Sequence, residues 1–82
     1  MDYKCIVVDD DEMSRNLIRH YIEKTNFLNF VQEFSNAIEA SNYLKEDNID
    51  IIFLDVKMPE MTGMEFIQTL EKDYEVILIT SA

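Results

Sequence analysis

One stretch near the middle of the chain constrains the fold more than any other. Ile51 to Leu54 is an unbroken apolar run, rich in β-branched and aromatic side chains, that ends abruptly at Asp55. Such a run is typical of a strand buried on both faces of a parallel sheet, although periodicity alone also allows a buried helical segment. Pro59 and Gly63 then interrupt regular structure. We therefore expect Asp55 at the C-terminal end of a central strand, on the edge where open α/β sheets bind ligands.

Four apolar runs alternate with three amphipathic segments along the chain. The predicted strands cover residues 5–8, 29–34, 49–54 and 76–79, and the predicted helices cover residues 14–24, 37–45 and about 62–71. The second strand has a weaker pattern and is expected at a sheet edge. Ser35 or Asn36 is expected to cap the second helix. Because the connections are short, the alternation predicts right-handed crossovers and a parallel sheet.

Each predicted helix has one apolar face at helical spacing. The predicted inward positions are Leu17, Ile18, Tyr21 and Ile22 in the first helix, Ala37, Ala40, Tyr43 and Leu44 in the second, and Met64, Ile67 and Leu70 in the third. The fourth strand is as apolar as the third, and it is also predicted to be buried.

Composition limits the functions that the chain can have. Its 82 residues form one small domain at most, and 48% apolar with 29% charged residues is a globular balance. The net charge of −10 argues against direct nucleic-acid binding, because phosphate contacts need a basic surface. The single Cys5 allows no internal disulfide and favours a reducing, cytoplasmic location. The longest apolar run is too short to cross a bilayer, so no membrane contact is expected.

Acids or a hydroxyl follow three of the predicted strands: Asp9 and Asp10 after the first, Asp55 after the third and Thr80 after the fourth. Taken singly, they have ordinary explanations as solvated loop acids, capping acids or a strand threonine. Neighbouring strands lie about 5 Å apart, so the acids converge if the first and third strands are adjacent. Clustered carboxylates suit Mg²⁺, and without metal at least one should have a raised pKa. Asp55 would then be a candidate nucleophile toward phosphorus, and Thr80 a donor to a phosphoryl oxygen.

Three motifs together resemble the receiver domain of two-component response regulators. They are Val7-Val8-Asp9-Asp10, the run from Leu54-Asp55 through Met58-Pro59 to Gly63, and Ile79-Thr80-Ser81-Ala82, and they occur in order over the whole chain. The resemblance implies a flavodoxin-like (CheY-like) doubly wound α/β fold with strand order 2-1-3-4-5. It also implies phosphoryl transfer from a partner histidine kinase or a small donor such as acetyl phosphate, followed by autodephosphorylation.

The resemblance assigns a role to each motif residue. Asp55 matches the phosphoacceptor, and Asp10 matches the direct Mg²⁺ ligand. Asp9 matches the acid that holds metal-bound water, and Lys57 would offer its backbone carbonyl to the metal. Thr80 matches the switch hydroxyl that moves onto the phosphoryl group.

The chain also departs from the family pattern. We expect residues 1–82 to form an incomplete receiver domain with order 2-1-3-4, without the fourth helix, the fifth strand with its lysine, and the fifth helix. The uncovered fourth-strand edge or first-helix face then predicts a homo-oligomer. The Asp-Glu-Met-Ser-Arg opening looks similar to receivers that precede LytTR-type DNA-binding domains, so DNA contact is expected only through an output domain.

Two alternatives remain open from the residues. One alternative is a receiver-like interaction module that is never phosphorylated, and Mg²⁺ binding by such a module would be negligible. The chain also fits, less well, a phosphatase that forms an aspartyl phosphate after the first strand, because Asp11 lies two residues beyond Asp9. That second alternative leaves the motif around Met58 and Pro59 unexplained and requires turnover of a phosphoester.

Overall fold

Strands and helices alternate along the chain, as the apolar pattern predicts. The structure is a computed structural model that describes residues 2–58 and 61–79. The elements are β1 (Tyr3–Val8), α1 (Glu12–Glu23), β2 (Leu28–Phe34), α2 (Ala37–Leu44), β3 (Ile51–Asp55), α3 (Gly63–Thr69) and β4 (Glu75–Ile79). Helix α1 begins two residues earlier than predicted because the Asp11 side chain caps it, accepting a hydrogen bond from the Ser14 N–H. Asn36 caps α2, one of the two predicted candidates.

The four strands form one parallel sheet in the order β2-β1-β3-β4. This order confirms the doubly wound, flavodoxin-like arrangement and places β2 at an edge, as predicted. Strands β1 and β3 are adjacent and central, with Val8 opposite Leu54. Asp9 follows Val8 and Asp55 follows Leu54, so the register places the two acids side by side.

The central strands are buried on both faces. On one face, Ile6 and Val8 join Ile52 and Leu54 in a cluster that α2 and α3 cover, with Phe66 at its centre. On the other face, Cys5 and Val7 pack against Ile22 of α1. The alternation along β1 is the period-two pattern of a strand sandwiched between helices.

The apolar face of α3 is rotated from the predicted one. Phe66 is fully buried, whereas Met64, predicted to face inward, is 56% exposed. The inward positions are Gly63, Phe66, Ile67 and Leu70, which are spaced i, i+3, i+4 and i+7. The prediction for Met64 was wrong because the tight contact of Gly63 with the sheet, rather than hydrophobicity alone, sets the rotation of this short helix.

The face of the sheet that α1 covers is only partly shielded. Helix α1 packs on β1 and β2, which buries Ile22 but leaves Leu17 54% and Tyr21 60% exposed. On β4, Ile77 lies on the α1 face and Leu78 on the opposite face, and each is 46% exposed. The prediction of a buried fourth strand was therefore wrong. The reason is position, because β4 is an edge strand among the described residues. Within residues 2–58 and 61–79, no helix combines the length and apolarity needed to span a membrane.

Candidate functional site

Three carboxylates meet at the C-terminal edge of the central strands. Asp9, Asp10 and Asp55 each offer one oxygen, and these oxygens lie within 4.8 Å of one another. Asp9 and Asp55 are only 2% and 5% exposed, while Asp10 faces solvent. We call these three side chains the acidic cluster. Its geometry follows from the sheet register, which aligns the ends of β1 and β3.

Backbone groups hold the two buried acids in place. The Asp9 N–H donates to the Phe34 carbonyl at 3.0 Å, and its Oδ1 accepts the Asp11 N–H at 2.9 Å. The Asp55 Oδ1 accepts the Lys57 N–H at 3.2 Å. Each carboxylate therefore has a fixed orientation, supplied by the turn that follows its own strand.

Electrostatics at the acidic cluster favour a cation. Burial raises the pKa of Asp9, and the nearby Asp55 and Asp10 carboxylates raise it further, against the opposing effect of the Asp11 N–H. Negative charge is thus concentrated in a place where water cannot fully solvate it. Hard oxygen donors in such an arrangement are the ligand type that Mg²⁺ prefers.

The only glycine in the chain supports the loop after Asp55. A Cβ at Gly63 would lie 2.7 Å from the Asp55 carbonyl oxygen and 3.1 Å from the Val56 Cα. The Gly63 N–H donates to the Val56 carbonyl at 3.0 Å. Thr62 and Glu65 form a reciprocal capping box that starts α3 at this point. Gly63 was predicted to interrupt regular structure and to complete the receiver-like motif, but its close approach to the Asp55 backbone was not predicted.

Arg15 is a second residue that sequence reasoning did not place at the site. Its side chain turns back from α1, and Nη1 donates to the Asp9 carbonyl at 2.8 Å. Its Nε lies 3.4 Å from Glu33 Oε1 on β2. The helical pattern put Arg15 on the polar side of α1, and nothing in the sequence pairs it with a residue 18 positions away.

The other predicted site residues are less defined by the structure. Lys57 is exposed, and its N–H rather than its carbonyl has a described partner in the site. Thr80 lies outside the described residues, so its predicted role stays a prediction. The Asp11 carboxylate accepts hydrogen bonds from both the N–H and the Oγ–H of Ser14, which commits it to capping α1.

Comparisons with known proteins agree with this architecture. Residues 5–82 match the family described as the response regulator receiver domain. The chain is 36% identical over 75 residues to the heme response regulator HssR of Staphylococcus saprophyticus, covering 92% of this chain and 33% of the relative. It is 28% identical over 76 residues to the transcriptional regulatory protein BtsR of Escherichia coli K12, covering 93% and 32%. The chain thus spans about a third of the length of these curated relatives.

A solved receiver domain has the same fold. The isolated receiver domain of RcsB from Salmonella enterica serovar Typhimurium, solved in the presence of the phosphomimetic BeF₃⁻, superposes with a TM-score of 0.88 at 22% identity. The match covers 98% of this chain and 62% of that chain. With the family match over nearly the whole sequence, these findings show that the chain belongs to the response regulator receiver domain family of two-component signalling.

Proposed function

We propose that the chain is a Mg²⁺-dependent phosphoacceptor that receives a phosphoryl group from a histidine kinase on Asp55 and so switches an output. The observation that carries the proposal is the acidic cluster, three carboxylate oxygens within 4.8 Å at the ligand-binding edge of the sheet. A relative described as a heme response regulator and another described as a transcriptional regulatory protein support the assignment to signalling.

The donor set fits Mg²⁺ in its chemistry. Mg²⁺ is held by one or two carboxylates together with waters and substrate phosphate oxygens. Asp10 and Asp55 would be direct ligands, Asp9 would hold metal-bound water, and the Lys57 carbonyl would be a further oxygen donor. Bound Mg²⁺ would supply positive charge against the charge that develops on the transferred phosphoryl group. The support for this set of residues is that each acid offers one oxygen and that these oxygens lie within 4.8 Å of one another.

The chain's own part in the reaction is nucleophilic. An Asp55 carboxylate oxygen attacks phosphorus, a new O–P bond forms, and the P–N bond of a phosphohistidine breaks with its electron pair leaving on the imidazole. With acetyl phosphate, a P–O bond breaks instead and acetate leaves. The Lys57 N–H orients the Asp55 carboxylate for the attack. After the transfer, in this proposal, the Thr80 hydroxyl donates a hydrogen bond to a phosphoryl oxygen on Asp55.

Intact mass after incubation with acetyl phosphate tests this function. We expect one phosphoryl group to be added with Mg²⁺ and none after chelation of Mg²⁺. The Asp55→Asn variant should accept none, because the amide is a poor nucleophile. Asp73→Asn is the matched control, since Asp73 is exposed in the loop between α3 and β4, and should behave as wild type. Modification of Asp55→Asn to the same extent would contradict the assignment.

Mg²⁺ titration separates the phosphoacceptor from the silent interaction module. A phosphoacceptor binds Mg²⁺ through the acidic cluster, and substituting Asp10 by Asn should remove that binding. A silent module would bind negligibly. The phosphatase alternative is less favoured because the Asp11 carboxylate, its required second acid, already caps α1. Turnover of a phosphomonoester by the wild-type chain would favour it.

We also propose that the chain self-associates through the β4 edge or the exposed face of α1. The support is apolar exposure in both places, at Ile77 and Leu78 on the strand and at Leu17 and Tyr21 on the helix. Edge strands without charged side chains at their centre are prone to pair with another chain. DNA contact is assigned to an output domain and not to this acidic segment, whose net charge is −10.

A further inference from the structure

We propose that Arg15 is a positioning residue that fixes the peptide between Asp9 and Asp10 and thereby directs the Asp10 carboxylate into the acidic cluster. The proposal rests on the Mg²⁺-dependent function argued above and adds a residue to it. Arg15 contacts no cluster carboxylate. Its described partners are the Asp9 carbonyl and Glu33, so it acts through the backbone.

The guanidinium of Arg15 joins three parts of the fold. It extends from the first turn of α1, donates through Nη1 to the Asp9 carbonyl at 2.8 Å, and pairs through Nε with Glu33 Oε1 of β2 at 3.4 Å. The side chains of Arg15 and Glu33 are only 14% and 25% exposed, so solvent screens the pair weakly. A planar guanidinium is suited to hold two acceptors at once in a fixed geometry.

Holding the Asp9 carbonyl sets the geometry of Asp10. The Asp9 carbonyl and the Asp10 N–H belong to the same planar peptide, so fixing the oxygen fixes that plane. On the other side of Asp10, the Asp11 N–H donates to the Asp9 carboxylate. Asp10 therefore lies between two anchored peptides although its own side chain is exposed. These two hydrogen-bonded peptides set the direction in which the Asp10 carboxylate points.

Charge and geometry predict opposite effects for the loss of Arg15. A cation close to a Mg²⁺ site opposes Mg²⁺ binding, so removing its charge alone should tighten that binding. Removing a positioning contact should weaken it, as loss of residues that orient metal ligands commonly does by 10- to 100-fold. Glu33 already offsets the charge of Arg15, and Glu33 Oε2 is buried without a hydrogen-bond partner among the described residues. The sign of the change in Mg²⁺ affinity therefore distinguishes a purely electrostatic role of Arg15 from a positioning role.

Calorimetric titration with Mg²⁺ provides the first test. We expect Arg15→Met to weaken Mg²⁺ binding by about 10-fold. The matched control is Arg19→Met, which removes the same charge one turn further along α1, where Arg19 pairs with Glu23 and lies over Phe30. Arg19→Met should leave the affinity within about 2-fold, because exposed charges are well screened. Tighter or equal binding by Arg15→Met would overturn the proposal.

Two further variants separate the shape of Arg15 from its charge. Arg15→Lys keeps the charge but replaces the planar guanidinium by a single ammonium, so we expect it to bind Mg²⁺ more weakly than the wild type. The double variant Arg15→Met/Glu33→Gln leaves the net charge of the chain unchanged and should bind Mg²⁺ as weakly as Arg15→Met. If either variant bound Mg²⁺ as tightly as the wild type, charge and not positioning would govern the site.

Amide hydrogen exchange in the metal-free protein gives a readout that does not depend on Mg²⁺. In Arg15→Met the Asp9 and Asp11 N–H groups should exchange about 10-fold faster, while Ile52 in β3 keeps its wild-type rate. Unchanged rates at Asp9 and Asp11 would contradict the positioning role even if Mg²⁺ binding changed. Absence of Mg²⁺ binding by the wild type would instead contradict the proposed function, and the exchange result would still decide the role of Arg15.

Discussion

The two faces of the sheet are built very differently. Helices α2 and α3 cover one face with a continuous cluster around Ile52, Leu54 and Phe66. On the other face α1 covers β1 and β2 and buries Ile22, while Ile77 of β4 remains half exposed. Val8 and Leu54, which directly precede Asp9 and Asp55 of the acidic cluster, are buried on the covered face. The partly shielded face leaves apolar side chains of α1, Leu17 and Tyr21, more than half exposed.

The largest effect should come from the covered face. Phe66→Ala removes a fully buried ring, and we expect it to lower the free energy of unfolding by about 3–5 kcal/mol because it leaves a cavity against the sheet. Urea denaturation followed by circular dichroism measures this change. Phe27→Ala is the matched control, because the same ring at that position is 57% exposed. Comparable losses for the two variants would show that the two environments do not differ as the structure indicates.

Phe66 also shows a limit of prediction from the sequence, which did not indicate which apolar side chain of α3 packs on the sheet. The apolar pattern located α3 to within about two residues at each end, but Met64 and Phe66 are both apolar and only one packs on the sheet. The choice depends on the contact between Gly63 and the Asp55 backbone, which is a tertiary feature. Intrinsic propensity and periodicity do not contain that information.

The acidic cluster was more predictable than the contacts that support it. An apolar strand that ends at Asp55 and another that ends at Asp9 and Asp10 are visible in the sequence, and parallel strands bring their ends to one edge. The Arg15 contacts with the Asp9 carbonyl and Glu33 depend on how α1 crosses β2. Arg15 and Glu33 are 18 positions apart in the chain, and neither contact of Arg15 corresponds to a local sequence pattern.

A smaller effect of opposite sign is expected at the cluster itself. Without Mg²⁺, Asp9→Asn should raise the free energy of unfolding at neutral pH by about 1–2 kcal/mol, the scale of one close like-charge pair that is partly screened. The amide oxygen can still accept the Asp11 N–H, so the turn is retained. Chemical denaturation in the presence of a chelator measures the difference.

The pH dependence of that difference has a definite sign. Because the pKa of Asp9 is raised above its ordinary value of 3.8, this carboxyl holds its proton to higher pH in the folded protein than in the unfolded chain. The wild type therefore loses stability relative to Asp9→Asn as pH rises through the folded pKa of Asp9. The advantage of Asp9→Asn should vanish below the ordinary value and grow as pH rises through the folded pKa of Asp9. Saturating Mg²⁺ should reverse the order of the two proteins, and an unchanged order would argue against metal binding at this cluster.

The smallest effect on folding should come from the partly shielded face. Leu17→Gln replaces an exposed apolar side chain on α1 by a residue of similar helix propensity, so the free energy of unfolding should change by less than about 0.5 kcal/mol. The same substitution should weaken self-association if α1 forms the contact, as sedimentation at increasing concentration would show.

If Leu17→Gln leaves association unchanged, the β4 edge is the remaining proposed contact, and Leu78→Lys should then abolish association. A wild-type chain that stays monomeric and unfolds cooperatively would exclude both contacts. The exposed apolar side chains would then reflect the partial cover of one face by α1 and the edge position of β4, and not an interface between copies.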